Sequence, residues 1–394
     1  MNDPLADAIR GRTEAMLELI RELVLVNSHT KNRAGGMRVG EIFAREATAL
    51  GLRTRRIASE IYADHLVVET ELGAASSRGA VALVGHLDTV FPEGTFEGYR
   101  CEDGIARGPG VLDMKGGLVV ALEALRALRA AGTLARLPLR FVIVSEEEIG
   151  SPEGRPILQA ELPGAACALV FEAGRAEDKI ITSRKGTGSA KVLARGRAAH
   201  AANGHKEGKN AIWAMAKFVD GAQSLTDYAR GITVNVGLIR GGEAKNTVPD
   251  HCEVELDFRF QTIADADATF ARMKEIAASA SAAVEGTSIE VSGGPARYPL
   301  ERTPENVALY QVYAACAKEA GLGSAEAPLI AGGSDASSTS AIGIPSIDGL
   351  GPRGSGFHTK EELIETASLE PKALALARFL ALHLQDGGAA ATHA

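Results

Sequence analysis

The chain of 394 residues is short of cysteine, of aromatics and of positive charge. Its four cysteines, Cys101, Cys167, Cys252 and Cys316, stand far apart and form no C-x-x-C pair. That spacing argues against a thiolate metal site or a disulfide framework and reads as buried thiols in a reducing compartment. The net charge of −8 argues against a nucleic-acid backbone as partner. No apolar run approaches the roughly 20 residues needed to cross a bilayer. The opening MNDPLADAIRGRTEAMLELIRELVLV lacks a short apolar core after a basic start, so it does not read as a signal peptide. A cytoplasmic protein with no membrane partner is the expectation. There is also no G-x-S-x-G elbow, which weakens nucleophilic serine catalysis. What remains, 45% hydrophobic and rich in alanine and glycine, fits an α/β enzyme long enough for two domains.

Two patterns follow one another along the chain. The first alternates helices with short apolar runs: a helix to about residue 26, another at 39–50 closed by Gly51, strands at 65–71 and 80–88, a helix at 118–131 stopped by Gly132, then strands at 139–145 and 168–172. Asp3 caps the opening helix, Pro4 fits its first turn, and Leu5, Ile9, Met16, Ile20 and Val24 keep its apolar stripe. Helices alternating with such runs mean a mixed sheet covered by helices. Near Ser183 the pattern changes. A strand at 189–195, a helix at 210–225, strands at 232–239 and 252–261, a helix at 264–284 and a strand at 288–292 give the order β-α-β-β-α-β of a ferredoxin-like unit. After Arg297 the alternation resumes, with a helix opening at Thr303 and Pro304 and a last helix from about Lys360. The expected fold is α/β, a discontinuous larger domain of 1–183 and 298–394 interrupted by an inserted domain of 184–297. The tail 387–394 reads as frayed.

Five segments carry side chains that bind metals: GHLD with His86 and Asp88, GPGVLDMKGG with Asp113, SEEEIGS with Glu146, Glu147 and Glu148, FEAG with Glu172, and GFHTKEE with His358. Several follow a run that reads as a buried strand, so a fold can gather them at one sheet edge. None contains cysteine. Imidazole suits zinc, and carboxylates suit zinc, cobalt or manganese. Two histidines and three carboxylates suffice for two metals when one carboxylate bridges, and paired metals activate water and polarise a carbonyl. Asp88 follows His86 by two positions, so both point to one side of a strand. A carboxylate there accepts the other imidazole N–H and fixes the tautomer. Singly, each segment favours a blander reading, since a lone histidine after a strand is usually a core residue and a glutamate run a solvated face. Together, with glycine flanking nearly all of them and three acids starting where FVIVS ends, they demand a cation.

The order H-x-D, D-M-K-G-G, E-E-I-G-S, a single acid and a terminal H-T resembles the di-zinc metallopeptidases that include glutamate carboxypeptidase, acetylornithine deacetylase, succinyl-diaminopimelate desuccinylase and aminoacylase. The resemblance covers nearly the whole chain, and GGSDAS at 332–337 with GLGPRGSGFH at 349–358 brings it nearest the glutamate carboxypeptidase branch. It implies two Zn²⁺ per subunit, with Co²⁺ or Mn²⁺ as substitutes: His86 and Glu172 on one, Glu148 and His358 on the other, Asp113 bridging. It further implies Glu147 as general base and Asp88 as the group that orients His86. SEEEIGS offers three glutamates where the motif needs two, and anchoring on E-E-I-G-S leaves Glu146 spare. On an extended segment Glu147 and Glu148 point to opposite sides, so base and ligand are neighbours only if the chain bends, which Gly150 permits. Glutamate rather than aspartate at 172 resembles the carboxypeptidases and deacylases more than the aminopeptidases.

In the inserted domain, HCEVELDFRF alternates strictly, with Cys252, Val254, Leu256, Phe258 and Phe260 on one face and Glu253, Glu255, Asp257 and Arg259 on the other. Alternation alone makes Arg259 a solvent-facing charge. The resemblance gives it a task, because GGEAKNTVP and DFRF put Asn246 and Arg259 where the family clamps a substrate carboxylate. A guanidinium fork matches that group bidentately. RGRAAHAANG places His200 where family members reach across a dimer to the oxyanion, with His205 a competitor. In the family this domain is a lid that also forms the dimer contact. Gly356 joins the expected substrate-binding set, while Arg184, Lys185 and Arg353 are candidate cations for acidic substrates by position only. The resulting expectation is a homodimeric carboxypeptidase that frees the C-terminal amino acid of a small peptide or N-acyl amino acid. An N-acyl-amino-acid deacylase, and more remotely an inactive dimeric binding protein, stay open as alternatives.

Overall fold

The protein is described by a computed structural model over residues 3–385, so the tail expected to fray at 387–394 lies outside the described residues. By its internal contacts the chain divides into two compact units, one of Met1–Ser183, Glu301–Ile330 and Ser334–Ala394, the other of Arg184–Leu300 and Ala331–Gly333.

The first unit is built on runs too apolar to face water on either side. Val81–His86 and Cys167–Val170 are buried at every position, the signature of strands covered on both faces. They lie in a six-stranded sheet ordered Arg53–Ile57, His65–Glu69, Leu139–Val144, Val81–His86, Cys167–Val170 and Ser346–Ile347. The first three strands pair antiparallel. Val81–His86 is parallel to both of its neighbours, with His86 beside Val144 and Val84 beside Val170. Parallel strands end at the same edge, so the segments after residues 86, 144 and 170 emerge together, the edge where open α/β sheets bind ligands. The helix Gly116–Ala130 is buried along most of its length. Its start must come close to the sheet, since a Cβ on Gly117 would stand 2.1 Å from the Phe171 carbonyl oxygen.

Several elements differ from the sequence expectation. The opening helix is two, Pro4–Ile9 and Thr13–Val24, because Gly11 takes a left-handed φ of 75° between them. The expected stripe is nonetheless buried throughout. The next helix starts early, as Arg33–Ala49, because the Asn32 side chain caps it at the Gly35 N–H. Arg53–Ile57 is an additional edge strand whose arginines hide it from an apolar pattern. The last helix is Leu369–Gln385, and the chain before it forms the strand Leu363–Glu365 instead. Pro371 in its first turn marks that start. Cys101 is exposed, on the short strand Arg100–Glu102, while Cys167, Cys252 and Cys316 are buried thiols.

The second unit has one four-stranded antiparallel sheet, ordered Thr233–Gly241, His251–Phe260, Gly186–Arg195 and Ser288–Arg297. The helices Ala211–Gln223 and Ile263–Ala282 share a core with the face that carries Cys252, Val254, Leu256, Phe258 and Phe260. Strands and helices therefore follow in the order β-α-β-β-α-β. Among the described residues no helix is long and apolar enough to cross a membrane.

Candidate metal centre

His86 ends its strand with a buried side chain. Its Nδ1 lies 3.0 Å from the Asp88 carbonyl oxygen and 3.3 Å from Asp88 Oδ1. Nε2 is thereby directed at Asp113 Oδ1, 3.3 Å away, and Glu172 Oε2, 3.7 Å away. Asp88 does more than orient this ring. Its carboxylate also accepts the Thr30 hydroxyl at 2.6 Å and the backbone N–H groups of Glu147 and Glu148 at 3.0 and 3.2 Å. It thus fixes the glutamate turn to the histidine strand, a link that spacing in the sequence does not reveal.

The bend expected at Gly150 is present. Glu147–Ile149 is a single tight turn closed by Gly150 at a left-handed φ of 99°. Glu147 gathers with His86 and Glu172, and Glu148 with His86 and Asp113, ligand atoms in each group lying within 4.8 Å of one another. Glu146 turns elsewhere, accepting the Glu153 N–H at 3.0 Å, with His65 Nδ1 3.5 Å away. Asp113 sits in the buried turn Val111–Lys115 after Gly110, which has a φ of 76°. His358 completes the cluster, its Nε2 3.0 Å from Glu148 Oε2 and 3.3 Å from Asp113 Oδ2. Its backbone holds a left-handed φ of 62°, a conformation that persists only where the surroundings over-determine it.

Six side chains therefore meet, the carboxylates of Asp113, Glu147, Glu148 and Glu172 and the imidazoles of His86 and His358. The electrostatics call for more positive charge than two imidazoles supply. Burial pushes Glu172 far above the carboxylate range and Glu148 up to about 8. The hydrogen bonds that His358 donates to Asp113 and Glu148 raise it to about 10. Burial disfavours a charged His86, but Glu172, Asp113 and Asp88 outweigh it and raise its pKa. Burial likewise opposes ionised Asp113, yet His358 and His86 hold its carboxyl well below the usual range. Oε1 of Glu148 and Oε1 of Glu172 are buried with no hydrogen-bond partner among the described residues. Buried carboxylate oxygens are costly without partners. An oxygen and imidazole donor set with unfilled buried acceptors fits divalent cations, and zinc among them.

The remaining expected residues lie in other settings. His200 belongs to the second unit, in the strand Ala199–His200 paired with Thr247–Val248. Its Nδ1 accepts the Ala202 and Asn203 N–H groups at 3.1 and 3.3 Å, which leaves the proton on Nε2. The Asn246 carbonyl accepts the Ala201 N–H at 2.9 Å, so these two expected residues are neighbours. His205 instead lines a cleft of about 510 Å³ with Asn210 and Lys245. Arg259 is on the face opposite the core, its guanidinium forked onto Asp257 at 2.8 and 3.0 Å. Gly356 has a φ of 78° and accepts the Thr359 N–H at 3.0 Å, in the turn that delivers His358. Of the positional cations, Arg353 is held between Asp178 at 2.7 Å and Glu365 at 2.8 Å. Arg184 donates to the Gly332 carbonyl and Lys185 to that of Gly231, each at 2.9 Å.

A sheet-edge cluster of this kind defines a metal-dependent hydrolase. The sequence profile of Peptidase family M20/M25/M40 matches residues 82–382, and the chain belongs to that family. It is a hydrolase of peptide or amide bonds in a family of dinuclear metal peptidases. Carboxypeptidase G2 of Pseudomonas sp. (strain RS-16) is 27% identical over 389 residues, 97% of this chain and 92% of the relative. Acetylornithine deacetylase of Myxococcus xanthus is 33% identical over 207 residues, 49% of this chain and 53% of the relative. Among solved structures, aminopeptidase PepT from Bacillus cereus ATCC 10987 matches with a TM-score of 0.77 at 22% identity, over 93% of this chain and 98% of that one. A dinuclear metal binding peptidase of the M20 family from Bacillus subtilis matches with a TM-score of 0.69 at 14% identity, over 95% of this chain and 98% of that one. At such identities the structures share the fold.

Proposed function

We propose that this protein is a zinc-dependent carboxypeptidase that releases the C-terminal amino acid of a small peptide or N-acyl amino acid. The likeness to carboxypeptidase G2 over 97% of this chain carries the choice of reaction. Two cations bound at this cluster would supply a lowered pKa for an attacking water and polarisation of the scissile carbonyl. His86 and Glu172 would hold one, Glu148 and His358 the other, and Asp113 both. Glu147 takes the proton of the water and returns it to the leaving nitrogen. His200 donates from Nε2 to the developing oxyanion across a homodimer, with the second unit as lid and dimer contact. Asn246 and Arg259 hold the terminal carboxylate, Arg259 with the donors that Asp257 leaves to it, and Gly356 also binds substrate. The setting is cytoplasmic, and Co²⁺ or Mn²⁺ can substitute for zinc. The similarity to acetylornithine deacetylase favours an N-acyl-amino-acid deacylase as the second reading.

Arg259→Ala tests the exopeptidase assignment. It should lower kcat/KM for a free-carboxylate substrate by an amount equivalent to about 2 to 5 kcal/mol, and Arg259→Lys should restore only part, since an ammonium cannot form the fork. On the carboxyl-amidated substrate, wild type and variant should be similarly poor. Equal damage to both substrates would leave Arg259 a structural residue and move the deacylase reading ahead. The dimer role is tested by mixing His200→Ala with Glu147→Ala chains, each nearly inactive alone. Mixed dimers should regain activity at the one site that keeps both groups, and inactive mixed dimers of confirmed mass would remove His200 from the partner's chemistry.

A further inference from the structure

Glu362 is 1% exposed, close after His358 in the chain, and no part of the expected site. Its carboxylate accepts three backbone N–H groups from the turn that carries Asp113. Oε2 takes Gly110 at 2.9 Å, and Oε1 takes Leu112 at 2.8 Å and Asp113 at 2.9 Å. The mount is firm, because the strand Leu363–Glu365 that follows is paired on one side with Gly354–Ser355 and on the other with Ile105–Arg107. At the far end of the same turn, buried Lys115 donates to the Val26 carbonyl at 2.9 Å. The Asp113 turn is thus tied at both ends.

We propose that Glu362 is a positioning residue of the metal centre: it fixes the backbone of 110–113 so that the Asp113 carboxylate stands between His86 and His358. One short segment then sets two members of the cluster at once, His358 by its side chain and Asp113 through Glu362. The inference rests on reading Asp113 and His358 as metal ligands. The three contacts all need an acceptor, and an ionised carboxylate offers nothing else. A glutamine in its place keeps the volume and can accept from Leu112 and Asp113 through its oxygen, but it turns an NH₂ against the Gly110 N–H. The backbone must then shift at the turn that sets Asp113. Groups that orient metal ligands typically contribute about 10- to 100-fold in metal affinity or activity.

The test is a Zn²⁺ titration of the metal-free full-length protein against a competing chelator, with steady-state kinetics beside it. Glu362→Gln should bind at least one zinc about 10- to 100-fold more weakly and lose kcat by a similar factor, with KM within about 2-fold of wild type. Glu365→Gln, which removes the same charge three residues on but only loosens Arg353, should leave zinc affinity unchanged. A folded Glu362→Gln protein with wild-type zinc affinity and turnover would overturn the proposal. Should that variant fail to fold, Glu362→Asp keeps the charge on a shorter arm and should show the same loss in milder form. Failure of both to fold would make Glu362 a determinant of core stability and overturn its placement role. A wild-type chain that takes up no zinc would instead overturn the reading on which the proposal stands.

Discussion

Glu146, Glu147 and Glu148 are identical side chains in succession with three different surroundings. Glu146 is turned toward the Glu153 N–H and His65, Glu147 toward His86 and Glu172, and Glu148 toward His358 and Asp113. Glu147→Ala should therefore keep the metals and lose roughly 10²- to 10⁴-fold in turnover, the usual contribution of a general base. Glu148→Ala should lose metal, measured by elemental analysis after loading. Glu146→Ala should keep both metal and most activity but melt earlier, because the N–H groups of Glu153 and of buried Gly154 are left unmatched, at a cost of about 1 to 3 kcal/mol. If Glu146→Ala gives the turnover phenotype and Glu147→Ala the metal phenotype, the assignment is displaced by one residue. The residue types of this site were legible in the sequence because strands ending in His, Asp and Glu are costly without a cation. Which glutamate did what was not, since the choice depends on a bend. The clamp by Glu362 was hidden for another reason, as one acid among GFHTKEE looks like surface until its three backbone partners are brought to it.

At the level of elements, apolar period located most helices and the central strands, and the failures share a cause. Period reports which face is buried and is blind to a break that leaves the face intact. The stripe Leu5, Ile9, Met16, Ile20 and Val24 is buried whether the helix is one or two, so the left-handed Gly11 between them left no trace in it. Arg53–Ile57, an edge strand of three arginines, a threonine and one isoleucine, has no apolar period to read. Close approach is legible only through glycine, and the pair after DMK shows why. Gly117 allows the helix Gly116–Ala130 to reach the Phe171 carbonyl, immediately before Glu172. Gly117→Ala should push that segment away, because a Cβ 2.1 Å from a backbone oxygen cannot be accommodated by a rotamer change. The expected destabilisation is about 1 to 3 kcal/mol or more, read as a lowered Tm. Zinc affinity should fall as well, since Glu172 moves with Phe171. A variant with unchanged Tm and unchanged zinc affinity would show that the helix start has room to retreat.

For the molecule as a whole, the acidic centre links metal loading to protons. In the metal-free protein burial lifts Glu148 to about 8, and its acidic partners lift His358 to about 10. Both shifts favour the protonated form, whereas both groups must give up their protons to act as ligands. Zinc loading at pH 7 should release protons, measurable as a binding enthalpy that depends on the ionisation enthalpy of the buffer. The sign follows from the direction of the two shifts. A folded-state pKa raised above its ordinary value stabilises the metal-free fold below that ordinary value and ceases to do so as pH rises through the raised one. Proton competition therefore weakens through 8 toward 10, and the gain in Tm on loading should grow with pH from 6 to 8. Other buried groups titrate in the same window: burial raises Glu362 to about 7, which acts with the same sign as Glu148, and lowers Lys115 to about 7 and Lys372 to about 8. The effect of the two lysines on Tm has the opposite sign, stability being lost as pH falls through those lowered values. Neither lysine is a ligand, so neither must give up a proton for a cation to bind. Full loading at pH 7 without proton release, or a gain in Tm that shrinks between pH 6 and 8, would mean that Glu148 and His358 are already deprotonated in the empty centre. The two unmatched oxygens on Glu148 and Glu172 would then be the stronger reason for placing cations there.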